Sequence, residues 1–582
     1  MNIEFQERPI DRQAALFFCR GVQDADGEVL RTVLSLLSQA VGNGDSCLEL
    51  ASIAGAEVTL SAERRVMLPE YDELCHLLQN LPTVGIPGEY CPIVIDSTGR
   101  LYLFRYWQYE HLLARKVLDS VSSMTDGLDE KRLQEGLERL FPQVAEAAEN
   151  RQRLAAEIAL RRKLCIISGG PGTGKSSTVI RILALIIEQP EGDLHRIAIA
   201  APTGKAAARL QSSVSTMRAE LAVSNETRAA IPATAMTIHR LLGTRRGSNR
   251  FRHDKTNPLP YDTVVVDEAS MIDLPLMSAL FSALAPGTRV ILLGDRDQLA
   301  SVEAGAVLGD ICQAAEDDPT SPLASSVVEL NRNYRFDSGS GIAALSRAVN
   351  AGDDREALRL LGDQTNDTIA LEPTPKRETI KKRLAVPVLQ GFRPCLEAET
   401  PEEALRLFDR FRILCALREG PWGAAGVNNA VETLLHEAGL IRTDTQFYRG
   451  RPVLITENDY THKLFNGDTG IILNDPATGN LRAFFAASDG TVRAIPPEFL
   501  PKHETAFAMT IHKSQGSEFD RVLMVLPPKD NTLLTKELIY TGITRAKQSV
   551  TIWSDESVFS AAVKRRTERR SGLREMLKFT GT

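Results

Sequence analysis

The chain has 582 residues, of which 43% are hydrophobic, 25% charged and 6% aromatic. Such a length predicts about three or four domains. The absence of any run of about 18 consecutive apolar residues excludes a protein built of membrane-spanning helices. The eight cysteines are dispersed without a Cys-x-x-Cys pair, which favours reduced thiols over a disulfide scaffold or a zinc site. We therefore expect a cytoplasmic, multidomain protein that does not enter a membrane.

Charge is distributed unevenly along the chain. Residues 1–150 hold 13 Lys and Arg against 24 Asp and Glu, a net charge of −11, whereas residues 151–582 hold 55 against 51, a net charge of +4. A nucleic acid would be repelled by the first segment and tolerated by a basic groove in the second. The acidic segment predicts a surface for a protein partner, with solvation alone as the alternative.

The pattern of apolar residues changes near residue 163. Apolar periodicity in the first 145 residues is typical of helices, for example across 29–37 and 102–113. Short apolar strands then alternate with helical segments, which predicts an α/β fold with parallel sheets covered by helices. The predicted strands are 164–168, 197–201, 263–267, 290–293 and 327–330, followed by 412–416, 508–511, 522–525 and 550–553.

This pattern divides the chain into four parts. Residues 1–145 form a mostly helical partner-binding domain and 146–370 the first α/β domain. The second α/β domain comprises 371–448 and 501–582, after a Pro- and Lys/Arg-rich stretch around 372–401. Between 449 and 500, short strands alternate with turn signals such as Asn466-Gly467-Asp468, which predicts a small β-barrel inserted in the second α/β domain.

A phosphate-binding loop follows the first strand of the α/β region. Residues 169–176 fit G-x-x-x-x-G-K-[ST] between a strand and a helix. The glycines allow backbone N–H groups to surround phosphates, and the helix directs its positive end at them. Lys175 would reach the β- and γ-phosphates of ATP, and the Ser176 hydroxyl would bind Mg²⁺. The predicted ATP-binding residues here are Gly169, Gly170, Pro171, Gly172, Thr173, Gly174, Lys175, Ser176 and Ser177.

Further candidate catalytic groups follow later strands. Asp267 would hold Mg²⁺, and Glu268 would orient and deprotonate the attacking water. Gln298, after the next strand, would contact the γ-phosphate or that water. Arg335 and Arg545 are candidates for stabilising the transferred phosphoryl group, because a guanidinium binds phosphate oxygens bidentately. An arginine from the second α/β domain would make hydrolysis depend on closure of the interdomain cleft.

In this order, the motifs resemble those of the superfamily 1 DNA helicases over residues 150–555. The series also includes 201–206 (APTGKA), 237–240 (TIHR), 333–335 (NYR), 510–516 (TIHKSQG) and 540–547 (YTGITRAK). More narrowly, 411–423 (FRILCALREGPWG), 464–468 (LFNGD) and 569–573 (RRSGL) resemble the RecD family, the alpha subunits of exodeoxyribonuclease V. The resemblance implies two RecA-like P-loop domains, with an SH3-like β-barrel at 449–500.

The resemblance also implies roles for individual residues. Gln152 would recognise adenine, Tyr334 would stack on it, and Arg335 and Arg545 would contact the γ-phosphate from opposite sides of the cleft. Side chains of both motor domains would line a groove for single-stranded DNA, where hydroxyl, amide and lysine groups follow phosphates without reading sequence. The implied DNA-contacting residues are Thr203, Lys205, His239, Thr510, His512, Lys513 and Ser514.

For activity, the resemblance implies ATP- and Mg²⁺-dependent movement in the 5′-to-3′ direction along single-stranded DNA. The implied partners are RecB-like and RecC-like subunits, in a complex that unwinds and degrades duplex DNA ends during recombinational repair of double-strand breaks. The basic segment 243–260 is either a solvated loop or a protruding hairpin that guides the strands.

Three alternative functions fit parts of the pattern. A stand-alone RecD-like helicase shares the motor motifs, but such relatives carry repeated helix-hairpin-helix elements, and only an isolated 84–88 (VGIPG) occurs here. A nuclease needs a carboxylate cluster with a lysine; none is convincing outside the ATP site, so the nuclease centre is expected in a partner chain. A scaffold or regulator timed by ATP is disfavoured by the intact Lys175, Asp267, Glu268 and Arg545.

Overall fold

The protein is described from a computed structural model that covers most of the chain. The described residues are 2–20, 25–61, 64–142, 150–245, 248, 250–332, 334, 340–363, 365–459, 461–487 and 491–578. Within those ranges, no helix has both the length and the apolar character needed to span a membrane.

The N-terminal region combines helices with short strands. Its elements are β1 (Asn2–Glu4), α1 (Pro9–Phe18), α2 (Ala25–Gly42), β2 (Leu48–Glu49), β3 (Glu57–Ser61), β4 (Arg64–Met67), α3 (Tyr71–Gln79), β5 (Val84–Gly85), β6 (Ile93–Ile95), β7 (Arg100–Leu103) and α4 (Phe104–Ser122). The strands form two small sheets, ordered β1-β3-β4 and β2-β7-β6-β5. Helix α2 contains the predicted helical segment 29–37. Helix α4 contains residues 104–113 of the predicted segment 102–113, whose first two residues end strand β7. The strands were not predicted, because two to five residues are too few for a clear period.

The first α/β domain, called the first motor domain from here on, is a parallel sheet with helices on both faces. Its elements are α5 (Glu130–Leu140), α6 (Arg151–Arg161), β8 (Leu164–Gly169), α7 (Lys175–Ile187), β9 (Ile197–Ala201), α8 (Gly204–Glu220), α9 (Asn225–Ala230), β10 (Met236–Thr237), α10 (Ile238–Leu242), β11 (Thr263–Val266), α11 (Leu274–Ser282), β12 (Arg289–Gly294), α12 (Val307–Asp317) and β13 (Val327–Leu330). The strand order is β10-β9-β11-β12-β8-β13. Strands β8, β9, β11 and β12 are buried throughout, as expected where helices cover both faces. The predicted α/β fold class is confirmed.

The second motor domain repeats this plan around an insertion. Its elements are α13 (Gly341–Ala351), α14 (Asp354–Leu361), β14 (Ile369–Glu372), α15 (Ile380–Leu396), α16 (Pro401–Phe408), β15 (Phe411–Cys415), α17 (Ala424–Glu437), β16 (Pro452–Ile455), β17 (Thr469–Asn474), β18 (Leu481–Ala486), β19 (Val492–Ile495), β20 (His503–Thr505), β21 (Ala508–Thr510), β22 (Phe519–Val525), α18 (Lys536–Ile543), β23 (Ala546–Trp553), α19 (Glu556–Lys564) and α20 (Leu573–Met576). Its parallel sheet has the order β14-β23-β22-β15-β21.

Packing places the start of the second motor domain earlier than residue 371. Ile342 of α13 shares a hydrophobic core with Leu538 of α18, and β14 pairs with β23. The Pro-rich stretch expected between the domains is largely the helix α15, which contains Pro387 and Pro394. The prolines obscured a helix because each removes a backbone donor.

The inserted segment forms a five-stranded antiparallel sheet of order β19-β18-β17-β16-β20. It ends at Thr505, five residues beyond the expected boundary at 500. Gly467 has a φ of 96°, so the predicted Asn466-Gly467-Asp468 turn uses the glycine where left-handed backbone favours it. Closure into an SH3-like barrel stays a prediction.

The two ends of the chain meet beside the first motor domain. The Ser46 N–H donates to the Arg570 carbonyl at 3.0 Å, and the Arg570 N–H donates to Asp45 Oδ1 at 2.8 Å. Glu110 of α4 accepts hydrogen bonds from the Ser571 hydroxyl at 3.0 Å and the Gly572 N–H at 3.1 Å. These contacts fasten the 570–572 segment to the N-terminal region.

Candidate functional site

The phosphate-binding loop connects β8 to the first turn of α7. Gly172 and Gly174 have φ values of 80° and 83°, a backbone region that glycine enters without steric cost. The Lys175 ammonium donates to the carbonyls of Gly169 and Gly170, the latter at 3.1 Å. Ser176 and Ser177 occupy the half-buried first turn of α7. The predicted strand–loop–helix arrangement around Lys175 is present.

The two predicted adenine contacts lie against this loop. The Gln152 side-chain amide donates to the Thr173 carbonyl at 3.2 Å, and the Tyr334 N–H donates to the Gly172 carbonyl at 2.8 Å. The Tyr334 residue is 58% exposed, and the Arg332 guanidinium lies 5.2 Å from its ring centroid. An exposed ring beside the phosphate loop is free to stack on a base.

The predicted acidic pair follows β11 at the same edge of the sheet. The Asp267 carboxylate accepts the Glu268 N–H at 2.8 Å. Loss of water around the Asp267 carboxyl raises its pKa to about 6; the Glu268 charge adds to this rise and the Lys175 charge opposes it. Glu268 has a φ of 52°, which is uncommon for a residue with a side chain and costly enough to be concentrated at functional sites.

Asp295, which was not predicted as a site residue, connects the two motor domains. Its Oδ2 accepts the Gln298 side-chain amide and the Tyr540 hydroxyl, each at 2.9 Å. Burial raises the pKa of Asp295, and the Lys175 charge opposes the rise. The Gln298 Oε1 is buried and lacks a hydrogen-bond partner in the described part of the chain. Such an acceptor is costly to leave unpaired and fits a site that a polar ligand completes.

Of the two arginines predicted to contact the γ-phosphate, the structure describes one. Arg545 is 2% exposed and donates to the carbonyls of Thr541 at 3.1 Å and Ser517 at 3.3 Å. Burial lowers its pKa, and the negative charge of Glu268 is the largest influence that opposes this. The second motor domain therefore delivers a cation toward the Glu268 carboxylate. Arg335 lies outside the described residues.

An ion pair between Arg209 and Glu518 crosses the same cleft. Arg209 belongs to α8 of the first motor domain, and Glu518 directly precedes β22 of the second. The charges of Glu518, Glu268 and Asp267 raise the Arg209 pKa, against desolvation. Arg209 therefore joins the acidic pair to the second motor domain, a link that sequence spacing alone could not reveal.

The predicted DNA contacts of the first motor domain lie at the start of α8. The Thr203 hydroxyl caps this helix by accepting the Ala206 N–H at 3.2 Å. Lys205 is half-buried in the first turn of the same helix. A Cβ placed on Gly204 would lie 2.5 Å from the Phe465 Cβ, so the inserted segment packs directly on this helix end.

The predicted contacts of the second motor domain follow β21. Thr510 and His512 are half-buried, and the Lys513 ammonium donates to Glu504 Oε2 at 2.6 Å. A Cβ on Gly516 would lie 3.7 Å from the Ala206 Cβ, which brings this loop beside α8. Ser514 differs, because it is fully buried and its hydroxyl donates to the Ile511 carbonyl at 2.7 Å. In this structure Ser514 stabilises the turn beneath the surface.

The basic segment 243–260 folds back toward His239. Thr244 and Phe251 form an antiparallel bridge, and the rings of His239 and Phe251 meet edge to face with centroids 5.9 Å apart. Phe251 also packs against the motor core. The segment is thus a short return loop anchored by an aromatic pair; Arg246 lies outside the described residues.

Three family models match successive parts of the chain. Residues 7–102 match the model described as RecBCD enzyme subunit RecD, N-terminal domain. Residues 152–304 match the AAA domain, and residues 505–553 match the UvrD-like helicase C-terminal domain.

Curated relatives match over most of the chain. The RecBCD enzyme subunit RecD of Mycobacterium tuberculosis is 39% identical over 98% of this chain and 95% of its own length. That of Haemophilus influenzae is 36% identical over 82% and 80%. The ATP-dependent RecD2 DNA helicase of Deinococcus radiodurans is 31% identical over 70% of this chain but 49% of its own length.

Solved structures match more distantly. A Bacteroides Pif1 helicase in complex with ADP-AlF3 and ssDNA is 16% identical and covers 72% of this chain and 94% of its own, with a TM-score of 0.39.

Proposed function

Because the chain belongs to the RecD family of helicase subunits, we propose that it is the ATP-dependent DNA motor of a RecBCD-type helicase–nuclease complex. The observation that carries this proposal is the convergence of groups from both motor domains on one nucleotide site. Lys175 and Asp267 come from the first domain, and Tyr540 and Arg545 come from the second. A site assembled across a cleft can convert ATP hydrolysis into relative movement of its two walls.

We propose the following division of work at the nucleotide. The loop from Gly169 to Gly174 binds the phosphates, Lys175 holds the β- and γ-phosphates, and Gln152 and Tyr334 hold the base. The Ser176 hydroxyl and Asp267 carboxylate are oxygen donors of the kind that hold Mg²⁺. When bound, Mg²⁺ neutralises charge on the phosphates. These donors fit the ion, because both offer oxygen atoms beside the phosphate loop and a nearby cation favours the ionised form of the Asp267 carboxyl, whose pKa burial raises.

Hydrolysis depends on water activation and on charge stabilisation. Glu268 orients and deprotonates the attacking water, and Gln298 contacts that water or the γ-phosphate. Arg545, with Arg335, stabilises the transferred phosphoryl group. The Arg209–Glu518 pair keeps the second motor domain in register with Glu268. Closure of the cleft thereby becomes a condition for turnover.

Single-stranded DNA is proposed to lie across the helix start of α8 and the loop after β21. The strand is contacted from the first domain by Thr203, Lys205 and His239, and from the second domain by Thr510, His512 and Lys513. Support comes from the juxtaposition of these two elements at Ala206 and Gly516. Opening and closing the cleft changes their separation, which moves the strand, and we propose that the movement runs 5′ to 3′.

We further propose a cytoplasmic subunit that acts with RecB-like and RecC-like partners on duplex DNA ends in double-strand break repair. The acidic N-terminal region is the proposed partner-binding surface. The nuclease centre is assigned to a partner chain; in the described part of this chain no three His, Cys, Asp or Glu side chains group as metal ligands. A stand-alone helicase is the second candidate, but the chain spans about half of the RecD2 relative.

Unwinding of tailed duplexes tests the proposal. The full chain, alone and with its partner subunits, is given one duplex with a 5′ single-stranded tail and one with a 3′ tail. Unwinding of the 5′-tailed duplex that is lost in Lys175→Gln supports the proposed motor and polarity. Lysine-dependent unwinding from the 3′ tail would overturn the polarity, and no lysine-dependent unwinding under either condition would favour a regulator.

A further inference from the structure

A second charged cavity lies at the opposite end of the first motor sheet from the nucleotide site. It has a volume of about 380 Å³ and is lined by residues at the amino ends of the central strands, including Lys163, His195, Arg196, Asp262 and Arg289. Lys163 precedes β8, whereas the phosphate loop follows it. Because a strand rises about 3.3 Å per residue, the two sites are about 20 Å apart.

Two of the three Lys and Arg side chains that line this cavity form no ion pair within the described residues. Arg196 is neutralised by the Asp262 carboxylate, with a guanidinium-to-carboxylate distance of 3.1 Å. Within the described ranges, neither Lys163 nor Arg289 forms an ion pair. Glu191 is the other acidic side chain of the lining. The cavity lining therefore holds two basic side chains outside any ion pair, with Glu191 in the same lining and Asp126 near enough to Lys163 to raise its pKa.

Arg289 is a buried cation of this cavity that forms no ion pair within the described residues. It is 5% exposed, and its Nη2 donates to the Thr125 hydroxyl at 3.0 Å and the Leu160 carbonyl at 3.2 Å. Its Nε is buried without a hydrogen-bond partner in the described part of the chain. A buried guanidinium with only neutral acceptors keeps a charge that burial penalises, so an anion beside it would be stabilising.

Burial disfavours the charged forms of Arg289, Lys163 and His195. Burial lowers the pKa of Arg289 to about 10. The pKa values of Lys163 and His195 are also lowered, by burial first and by the Arg289 charge second. Asp126 and Asp262 act in the opposite direction on Lys163, and Asp262 and Glu191 do so on His195. Lys163 and Arg289 line one cavity, and the Arg289 charge lowers the Lys163 pKa. A polyvalent oxyanion between them would stabilise both charges.

We propose that this cavity binds a small phosphate-type oxyanion, with Lys163 and Arg289 as its charged donors. The site is separate from the P-loop and does not depend on the proposed motor function. A free phosphate ion and the terminal phosphate of a DNA strand share this chemistry, and the test separates them.

Equilibrium dialysis of the full chain with radiolabelled orthophosphate tests the proposal, with a non-hydrolysable ATP analogue filling the nucleotide site. We expect saturable binding of one phosphate per chain. Lys163→Gln should weaken it about tenfold or more, because a charge-assisted contact is lost. The Lys163 side chain is half-buried and its fold contacts are made by backbone atoms, so the variant should fold. Arg196→Gln is the matched control and should change affinity less than about twofold, since Asp262 already neutralises that arginine.

Equal loss of affinity in Arg196→Gln and Lys163→Gln, or no saturable phosphate binding, would overturn the site. Competition then identifies the source of the phosphate. Displacement of orthophosphate by an oligonucleotide with a 5′-phosphate, but not by its 5′-hydroxyl counterpart, assigns the site to a DNA terminus. Failure of both oligonucleotides to displace it assigns the site to a free ion.

Discussion

The two parallel sheets share a plan but differ in what their strand ends contribute. In the first, the carboxyl ends of β8, β11 and β12 carry Lys175, Asp267 and Asp295. The second sheet supplies Tyr540 and Arg545 to the cleft that faces these groups. In the proposed site, the first sheet holds the groups that bind the nucleotide. The second sheet supplies a hydroxyl and a guanidinium from the other side of the cleft. On the proposed assignment neither sheet holds all the groups for ATP hydrolysis, so we expect turnover to depend on their relative position.

The largest effect is expected from disabling the first sheet's contribution. In Lys175→Gln, ATP turnover should fall by about 10⁴-fold or more, because a cation that stabilises the charge developing on the phosphates in the transition state is lost. Steady-state hydrolysis with saturating single-stranded DNA measures this. Unchanged thermal unfolding would show that the fold is intact, and turnover near that of the native chain would remove Lys175 from the mechanism.

The next effect concerns the second sheet's contribution. Arg545→Ala should lower kcat by about 10³-fold, because a cation directed at the transferred phosphoryl group acts mainly in the transition state. Nucleotide affinity, measured by fluorescence titration, should change less than about threefold. Arg545→Lys is the conservative control and should recover part of the rate. A loss confined to affinity would mean that Arg545 only binds ATP.

A smaller effect should follow from uncoupling the sheets. Glu518→Gln should lower DNA-stimulated kcat about tenfold, because the Arg209 charge would no longer be held between the domains. Arg209→Gln should act similarly, and the double variant should lose little more than either single one. Hydrolysis assays with and without DNA measure the cycle; strictly additive losses would show that the two side chains act independently.

The smallest effect is expected on stability and not on turnover. It concerns Glu110, which is remote from the strand ends of both sheets. Burial raises the pKa of Glu110 to about 7, so the folded chain holds a proton there that the unfolded chain has released. Stability should therefore fall by up to about 1.4 kcal/mol per pH unit as pH rises toward 7, and level off above it.

Thermal unfolding at several pH values measures this dependence. Glu110→Gln should flatten it and leave turnover unchanged. Glu138→Gln, on the exposed face of α5, is the control and should keep the native slope. An identical slope in Glu110→Gln would assign the pH dependence to other groups.

The sequence was most informative where function is local in the chain. The spacing around Lys175 predicted the loop, its strand and its helix, because all three lie within consecutive residues. The Asp295–Tyr540 hydrogen bond and the Arg209–Glu518 pair join residues 245 and 309 positions apart. Nothing in the spacing of such residues indicates that they meet, so these contacts could only be found in the folded chain.

Burial was the other property that patterns did not supply. Ser514 belongs to a motif that implies DNA contact, yet its hydroxyl is used inside a turn. Helix α13 and strand β14 belong to the second domain because their apolar side chains pack there. The expected boundary at 370 had placed α13 in the first domain and divided β14. Motif and periodicity identify which residues matter, whereas packing decides which of them face outward.

The contact between the chain ends has a consequence for how the protein is made. Glu110 is translated early, but two of its hydrogen-bond partners, Ser571 and Gly572, are more than 460 residues later. Until the ribosome has released those residues, the Glu110 carboxyl cannot reach its final environment. The surroundings of Glu110 are therefore completed only after residue 572 has left the ribosome, although Glu110 itself is made more than 460 residues earlier.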